Sequence, residues 1–249
     1  MKNLIYASLI LVIVGLLFFT NSNSGDTPND GGVESWGTTY YKAGTINIYD
    51  PRMGAYGTVD SDKALMHFNL VDIAKVAGHL CGGTTSGFLM TKLALESLYG
   101  KDIPVRGDIR LSADQKGDTQ KVAAYIIGAS EEQHYGFQTW ITDASMKPEK
   151  GDTLLIFERI STGKKVKLLW HKTKTINEHT GDSNRFDKMK LKTIHGLASD
   201  AEAKEFHGLL NSLVLKMADG GVKYDLEVLN QGKSIPTAME GCKCHDALK

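Results

Sequence analysis

Apolar residues recur along this chain in two rhythms, and the rhythm changes at glycines. Leu89, Met90, Leu93, Ala94 and Leu98 have the three- and four-residue spacing of one helical face, and Gly100 follows as a stop. Thr84 to Ser86 offers hydroxyls to cap that helix at its start. Asp118 to Ile127 repeats the pattern in shorter form, with Val122, Ala123, Ile126 and Ile127 on one face and Gly128 behind them. The longest stripe is Phe206, Leu209, Leu210, Leu213, Val214 and Met217. It opens at the capping box Ser199-Asp200-Ala201-Glu202 and closes at Gly220-Gly221.

Elsewhere the period is two. Thr153 to Glu158 and Lys165 to Trp170 bracket Ser161-Thr162-Gly163, which predicts an antiparallel hairpin, and Phe137 to Thr142 and Val222 to Leu229 alternate as further strands. Trp36 to Val59 sets tyrosines and isoleucines among turn residues and reads as short strands or an arm over the core. Helices interleaved with hairpin strands predict the α+β class, a mixed β-sheet flanked by helices.

Two N-terminal segments lie outside this pattern. Leu4 to Phe19 is a largely apolar run behind a single charge, Lys2, with the small residues Ser22 and Ser24 after it. A membrane span needs roughly 20 apolar residues, so the run reads as a secretory signal peptide, with an N-terminal anchor as the alternative. Asn21 to Ser35 has the composition of a solvated spacer. The expected organisation is a signal peptide or anchor over residues 1–24, a linker and N-terminal arm over 25–60, a core over 61–220, and a C-terminal strand and tail over 221–249. Such a protein is periplasmic or otherwise extracytoplasmic and meets a membrane only through its N-terminal segment, if that is kept.

Composition narrows the function. A 41% hydrophobic content over 249 residues supports a packed core and excludes general disorder. Lys plus Arg equals Asp plus Glu at 29 each, so nothing advertises a nucleic-acid partner. Three cysteines cannot form a disulfide framework in a chain of this length.

The chemistry-bearing segment is Gly78-His79-Leu80-Cys81-Gly82-Gly83, just ahead of a predicted helix. A histidine and a cysteine two residues apart in extended backbone point to the same side, and both suit a soft or borderline metal such as zinc. The helix N-terminus behind them favours a thiolate at Cys81. Asp114 or Asp118 is a candidate for an oxygen ligand, and His67 a candidate from the preceding segment. The tail carries Cys242, Cys244 and His245, with Asp246 beside them. These suit a second metal, a small-ring disulfide, or, with a single thioether, haem. Of the remaining histidines, His171 ends a strand, His134 lies in a loop, and His179, His195 and His207 read as solvated, as do the lysines from Lys164 to Lys174.

His79-Leu80-Cys81-Gly82-Gly83 with the helix SGFLMTKLALESLYG behind it resembles the opening of the FmdE domain, a family named for a component of formylmethanofuran dehydrogenase. The likeness extends through DTQKVAAYIIG, the hairpin LLIFERISTGKKVKLLW, the capped helix near Ser199 and Pro236-Thr237-Ala238, covering residues 65 to 245. The resemblance implies a thioredoxin-like core, a metal site at the histidine/cysteine motif, in some members a C-terminal treble-clef zinc finger, and a tendency to form homodimers. Members have no settled catalytic activity. Ala77 stands where the family motif has its first histidine, Gly82 replaces a proline, and Gln115 replaces a further cysteine.

The expectation is an exported metal-binding accessory protein, holding zinc or another transition metal or a metal-bearing cofactor. The ligand candidates are His79, Cys81, Asp118 and His67, with Cys242, Cys244 and His245 in the tail. Its partners are that metal, a redox partner or a second copy. The alternatives are an enzyme that uses metal-activated water or the Cys81 thiolate, and a haem-binding protein.

Overall fold

The structure is a computed structural model that describes residues 38–131 and 137–229. The predicted signal segment, the spacer, His134 and the tail with Pro236-Thr237-Ala238, Cys242, Cys244 and His245 lie outside the described residues. A short 3₁₀ helix, Thr38–Ala43, leads into β1 (Ile46–Tyr49), which pairs antiparallel with β2 (Leu65–Phe68). Tyr40, Ala43, Ile46 and Ile48 of the N-terminal arm are buried. Between the strands, Asp50 caps the short α1 (Pro51–Ala55) through the amide of Arg52, with proline at the first helical position. Arg106 Nη1 donates to the same carboxylate at 2.9 Å, which ties the arm to the core.

Asn69 and Asp72 form a capping box for α2 (Leu70–Ala77), and the helix ends at Gly78 in the left-handed region, φ 73°. A side chain is strained there, so glycine gives the chain its turn out of α2 and into His79. Next come α3 (Gly82–Tyr99) and α4 (Asp118–Ile127), separated by β3 (Ile109–Ala113). The main sheet has the order β4-β3-β5-β6-β7, with β4 at Trp140–Thr142, β5 at Thr153–Arg159, β6 at Lys164–Trp170 and β7 at Asp225–Leu229. β4 runs parallel to β3 and the other pairs are antiparallel, so the sheet is mixed. The class is α+β.

Paired residues across a ladder share a face. Leu111, Phe157 and Val166 lie in register, and the whole set Ile109, Leu111, Leu155, Phe157, Val166, Leu168 and Trp170 is fully buried. Helix α3 packs on β5 and β6 of this face, and α4 packs on β3. The two helices cross closely at Gly87, where an added Cβ would stand 2.5 Å from the Thr119 carbonyl oxygen and 2.8 Å from Val122 Cβ.

After β6 the chain makes α5 (Lys172–Thr180), α6 (Ser183–Ile194) and α7 (Asp200–Ala218), the last opened by the capping box of Ser199 and Glu202. Hydrophobic periodicity does not disclose α5 and α6. Helix α5 buries only Ile176 and α6 buries Ser183, Phe186 and Met189 along polar sequence, too thin a stripe to read. The usable signal is local: Gly181 stops one helix in the left-handed region, and the Asp182 carboxylate caps the next through the amides of Asn184 and Arg185.

Several boundaries move. The predicted strand over Phe137 to Thr142 contracts to Trp140–Thr142, and that over Val222 to Leu229 to Asp225–Leu229. The cap of α3 is Cys81, ahead of the predicted Thr84 to Ser86. Along α7, Phe206, Leu213, Val214 and Met217 are buried, whereas Leu209 and Leu210 stay half-buried.

Candidate metal centre

The cap position controls the chemistry. Cys81 has extended backbone, φ −143° and ψ 176°, and its amide donates to Thr84 Oγ1 at 2.8 Å, so the thiol stands at the entrance of α3 and not within it. Thr84 Oγ1 also lies 3.8 Å from Cys81 Sγ. The unpaired amides of the first helical turn give that end partial positive charge. Among the described residues Cys81 is a free cysteine, partly exposed.

His79 is the turn residue after Gly78. Its Nδ1 lies 3.0 Å from the Ala77 carbonyl oxygen. A carbonyl only accepts, so the proton sits on Nδ1, and in the neutral ring the lone pair is on Nε2. That nitrogen is 3.8 Å from Asp118 Oδ2. Asp118 is the first residue of α4, and the same oxygen lies 3.8 Å from Cys81 Sγ.

The three donors lie within 4.8 Å of one another and could hold a metal ion. Metal–ligand bonds of about 2.0 to 2.3 Å around a tetrahedral ion imply donor separations of about 3.3 to 3.6 Å, so the group closes on an ion with small side-chain adjustments. The anchored Nδ1 is the outer hydrogen bond that orients a ligating imidazole. Glycine at position 83 leaves the approach open. A Cβ there would sit 3.3 Å from Asp118 Cβ and 3.6 Å from Cys81 Sγ, and the Gly83 carbonyl accepts from Thr119 Oγ1 at 3.0 Å.

The structure thus brings together His79, Cys81 and Asp118, and separates the other candidates. His67 projects from β2, exposed, with Nδ1 2.7 Å from Asn47 Oδ1 on β1, its register partner; it is not a member of the donor group. Asp114 accepts from Gln120 Nε2 at 3.3 Å and is also outside the group.

A cavity of about 610 Å³ opens beside the three donors. Its other walls are Trp170 at the end of β6, Lys172 and Ile176 of α5, Phe186 and Lys190 of α6, and Phe206 and His207 of α7. Lys172 and His207, which sequence patterning reads as solvated, line this cavity, Lys172 half-buried and His207 exposed as expected. His171, read from the sequence only as the end of a strand, is gripped between two carboxylates, with Nδ1 2.7 Å from Asp152 and Nε2 2.9 Å from Asp225.

Compared with family models, curated proteins and solved structures, the chain matches none. No helix among the described residues is long and apolar enough to cross a membrane.

Proposed function

We propose that this is an exported metal-binding protein of FmdE type, with a thioredoxin-like core, that holds zinc or another transition metal at His79, Cys81 and Asp118. The observation that carries the reading is the convergence of one imidazole nitrogen, one thiol and one carboxylate within 4.8 Å, with the imidazole oriented by a backbone carbonyl. Nitrogen, sulfur and oxygen together suit zinc better than calcium or magnesium, which take oxygen ligands. A bound metal would act as a Lewis acid at this spot.

The cavity favours a second reading, a metal-dependent enzyme. Three protein ligands leave one tetrahedral position for another group, which is the arrangement of catalytic zinc, whereas structural zinc is closed by four. Here the donors also line a cavity of about 610 Å³.

The test is metal analysis of the full chain with cobalt as an optical stand-in. Wild type binds one equivalent and shows a thiolate-to-cobalt charge-transfer band. His79→Ala and Asp118→Asn weaken binding, and Cys81→Ser loses the band. A Cys242→Ser, Cys244→Ser double variant keeps it, which separates this centre from the tail. Undiminished binding in the His79→Ala, Cys81→Ser protein refutes the assignment.

A further inference from the structure

We propose that the cavity beside the metal centre takes an organic oxyanion, a carboxylate or phosphate on an aromatic or acyl body, whose charged end is held by Lys172 and Lys190. The proposal deepens the metal-site reading and rests on it for the far end of the ligand, which would lie by His79, Cys81 and Asp118.

Charge is the first argument. Lys172 and Lys190 are half-buried on the cavity wall, and neither has an ion pair or hydrogen-bond partner among the described residues. Of the other lysines on these two helices, Lys174 pairs with Glu178, Lys192 pairs with Glu202, and Lys188 is exposed to solvent. A lysine lays its aliphatic stem along an apolar wall and keeps its ammonium free to meet an anion. Two such groups facing one cavity, on helices that follow one another in the chain, make a receptor for negative charge. Asp187 is the one carboxylate that α6 adds to this wall, and it is exposed. Asp118 belongs to the metal donors.

Shape is the second. The apolar floor begins one residue from Cys81: a Cβ at Gly82 would lie 3.2 Å from the Trp170 ring and 3.7 Å from a Leu213 methyl. Trp170 Nε1 donates to Thr175 Oγ1 at 3.1 Å, so the indole's polar atom is satisfied and its remaining surface is apolar. Phe186 and Phe206 add an aromatic pair with ring centroids 5.3 Å apart. A volume of about 610 Å³ with aromatic lining and a few polar groups matches a small organic ligand and is far more than a bare inorganic ion requires. The metal donors and the lysines come from different elements around this cavity, so a ligand reaching both would be bifunctional.

The experiment is calorimetric titration of the full chain, freed of metal, with three probes of one shape: 2-naphthoate, 2-naphthyl phosphate and the neutral 2-naphthamide. At least one anion is expected to bind tenfold or more tightly than the amide, with a preference that shrinks as salt is raised. The identity of the stronger anion assigns the headgroup as carboxylate or phosphate. Lys172→Gln with Lys190→Gln should remove the preference for either anion over the amide. The single variant Lys190→Glu should turn preference toward 2-naphthylmethylammonium, which provides a second reading if the double variant does not fold. His79→Ala with Cys81→Ser should keep the anion preference, so loss of the metal reading and loss of this one are told apart. Equal binding of all three probes, binding of none, or an undiminished preference in the double lysine variant overturns the proposal.

Discussion

His79 Nδ1 stands 3.0 Å from the carbonyl oxygen of Ala77, so a backbone group two residues back orients the imidazole. The bond crosses the turn made at Gly78 and leaves Nε2 facing Asp118.

Because that turn depends on a left-handed residue, Gly78→Ala should loosen the histidine while leaving the thiol in place. Zinc affinity is expected to fall about tenfold, in the range seen when an outer-shell partner is lost. Cobalt titration checks this, since the charge-transfer band at Cys81 should persist at saturating metal.

Gly87→Ala should separate α3 from α4. The new methyl would sit 2.5 Å from the Thr119 carbonyl oxygen and 2.8 Å from Val122 Cβ, a clash with backbone and a branched side chain. Overpacking costs about 1–3 kcal/mol, which exceeds the gain of up to about 1 kcal/mol in helix propensity. Urea unfolding should record the loss. Metal affinity should fall in parallel, because the shift also moves Asp118 away from Cys81.

The His171 clamp carries a pH signature. Hydrogen bonds to Asp225 and then Asp152 raise the imidazole pKa above its ordinary value of 6.5, so the folded protein favours the charged ring more than the unfolded chain does. The resulting stability is fully present below the unfolded-state pKa and is lost as pH rises through the higher folded-state value. Urea midpoints should therefore decline as pH rises past 6.5 and through the raised folded-state pKa, by a component that His171→Gln removes. Asp225 is the first residue of β7, so amide exchange in that strand should quicken over the same range.

Asp50→Ala should be among the most damaging changes away from the candidate metal centre. Its side chain is 4% exposed and faces Arg106, itself 10% exposed, at 2.9 Å. Burial alone would raise the carboxyl pKa, but bonds to Arg52 and the charge of Arg106 lower it. Removing one partner of a buried pair leaves an uncompensated charge and costs about 3–5 kcal/mol. Chemical denaturation measures this. The carboxylate's contribution should also vanish as pH falls through its depressed folded-state pKa, so the variant's acid limb should be flatter than wild type.

Much of the scaffold is legible along the chain. The helix over Asp118–Ile127 and the hairpin of β5 and β6 show because each repeats its apolar residues at its own period, and α7 shows through its capping box. Helices α5 and α6 do not, because a helix that buries one to three side chains has almost no periodicity to detect. Lys172 and Lys190 are hidden for the same reason: in a polar stretch a lysine that faces a cavity looks like one that faces water.

Local pattern was enough for the α+β class, for the pairing of His79 with Cys81 and for the helix that follows them, since all three depend on neighbours within a turn or a strand. Asp118 was no more favoured than Asp114 or His67 as their companion. Packing made that choice, because it depends on which helix ends meet. With no side chain at Gly87, α3 and α4 approach until their N-termini lie side by side, and residues 37 positions apart come within 3.8 Å. The cavity beside them belongs to that packing: its walls come from α3 through α7, β5, β6 and the turns ahead of α3 and α4, and no local pattern records which faces of separate elements will share a space.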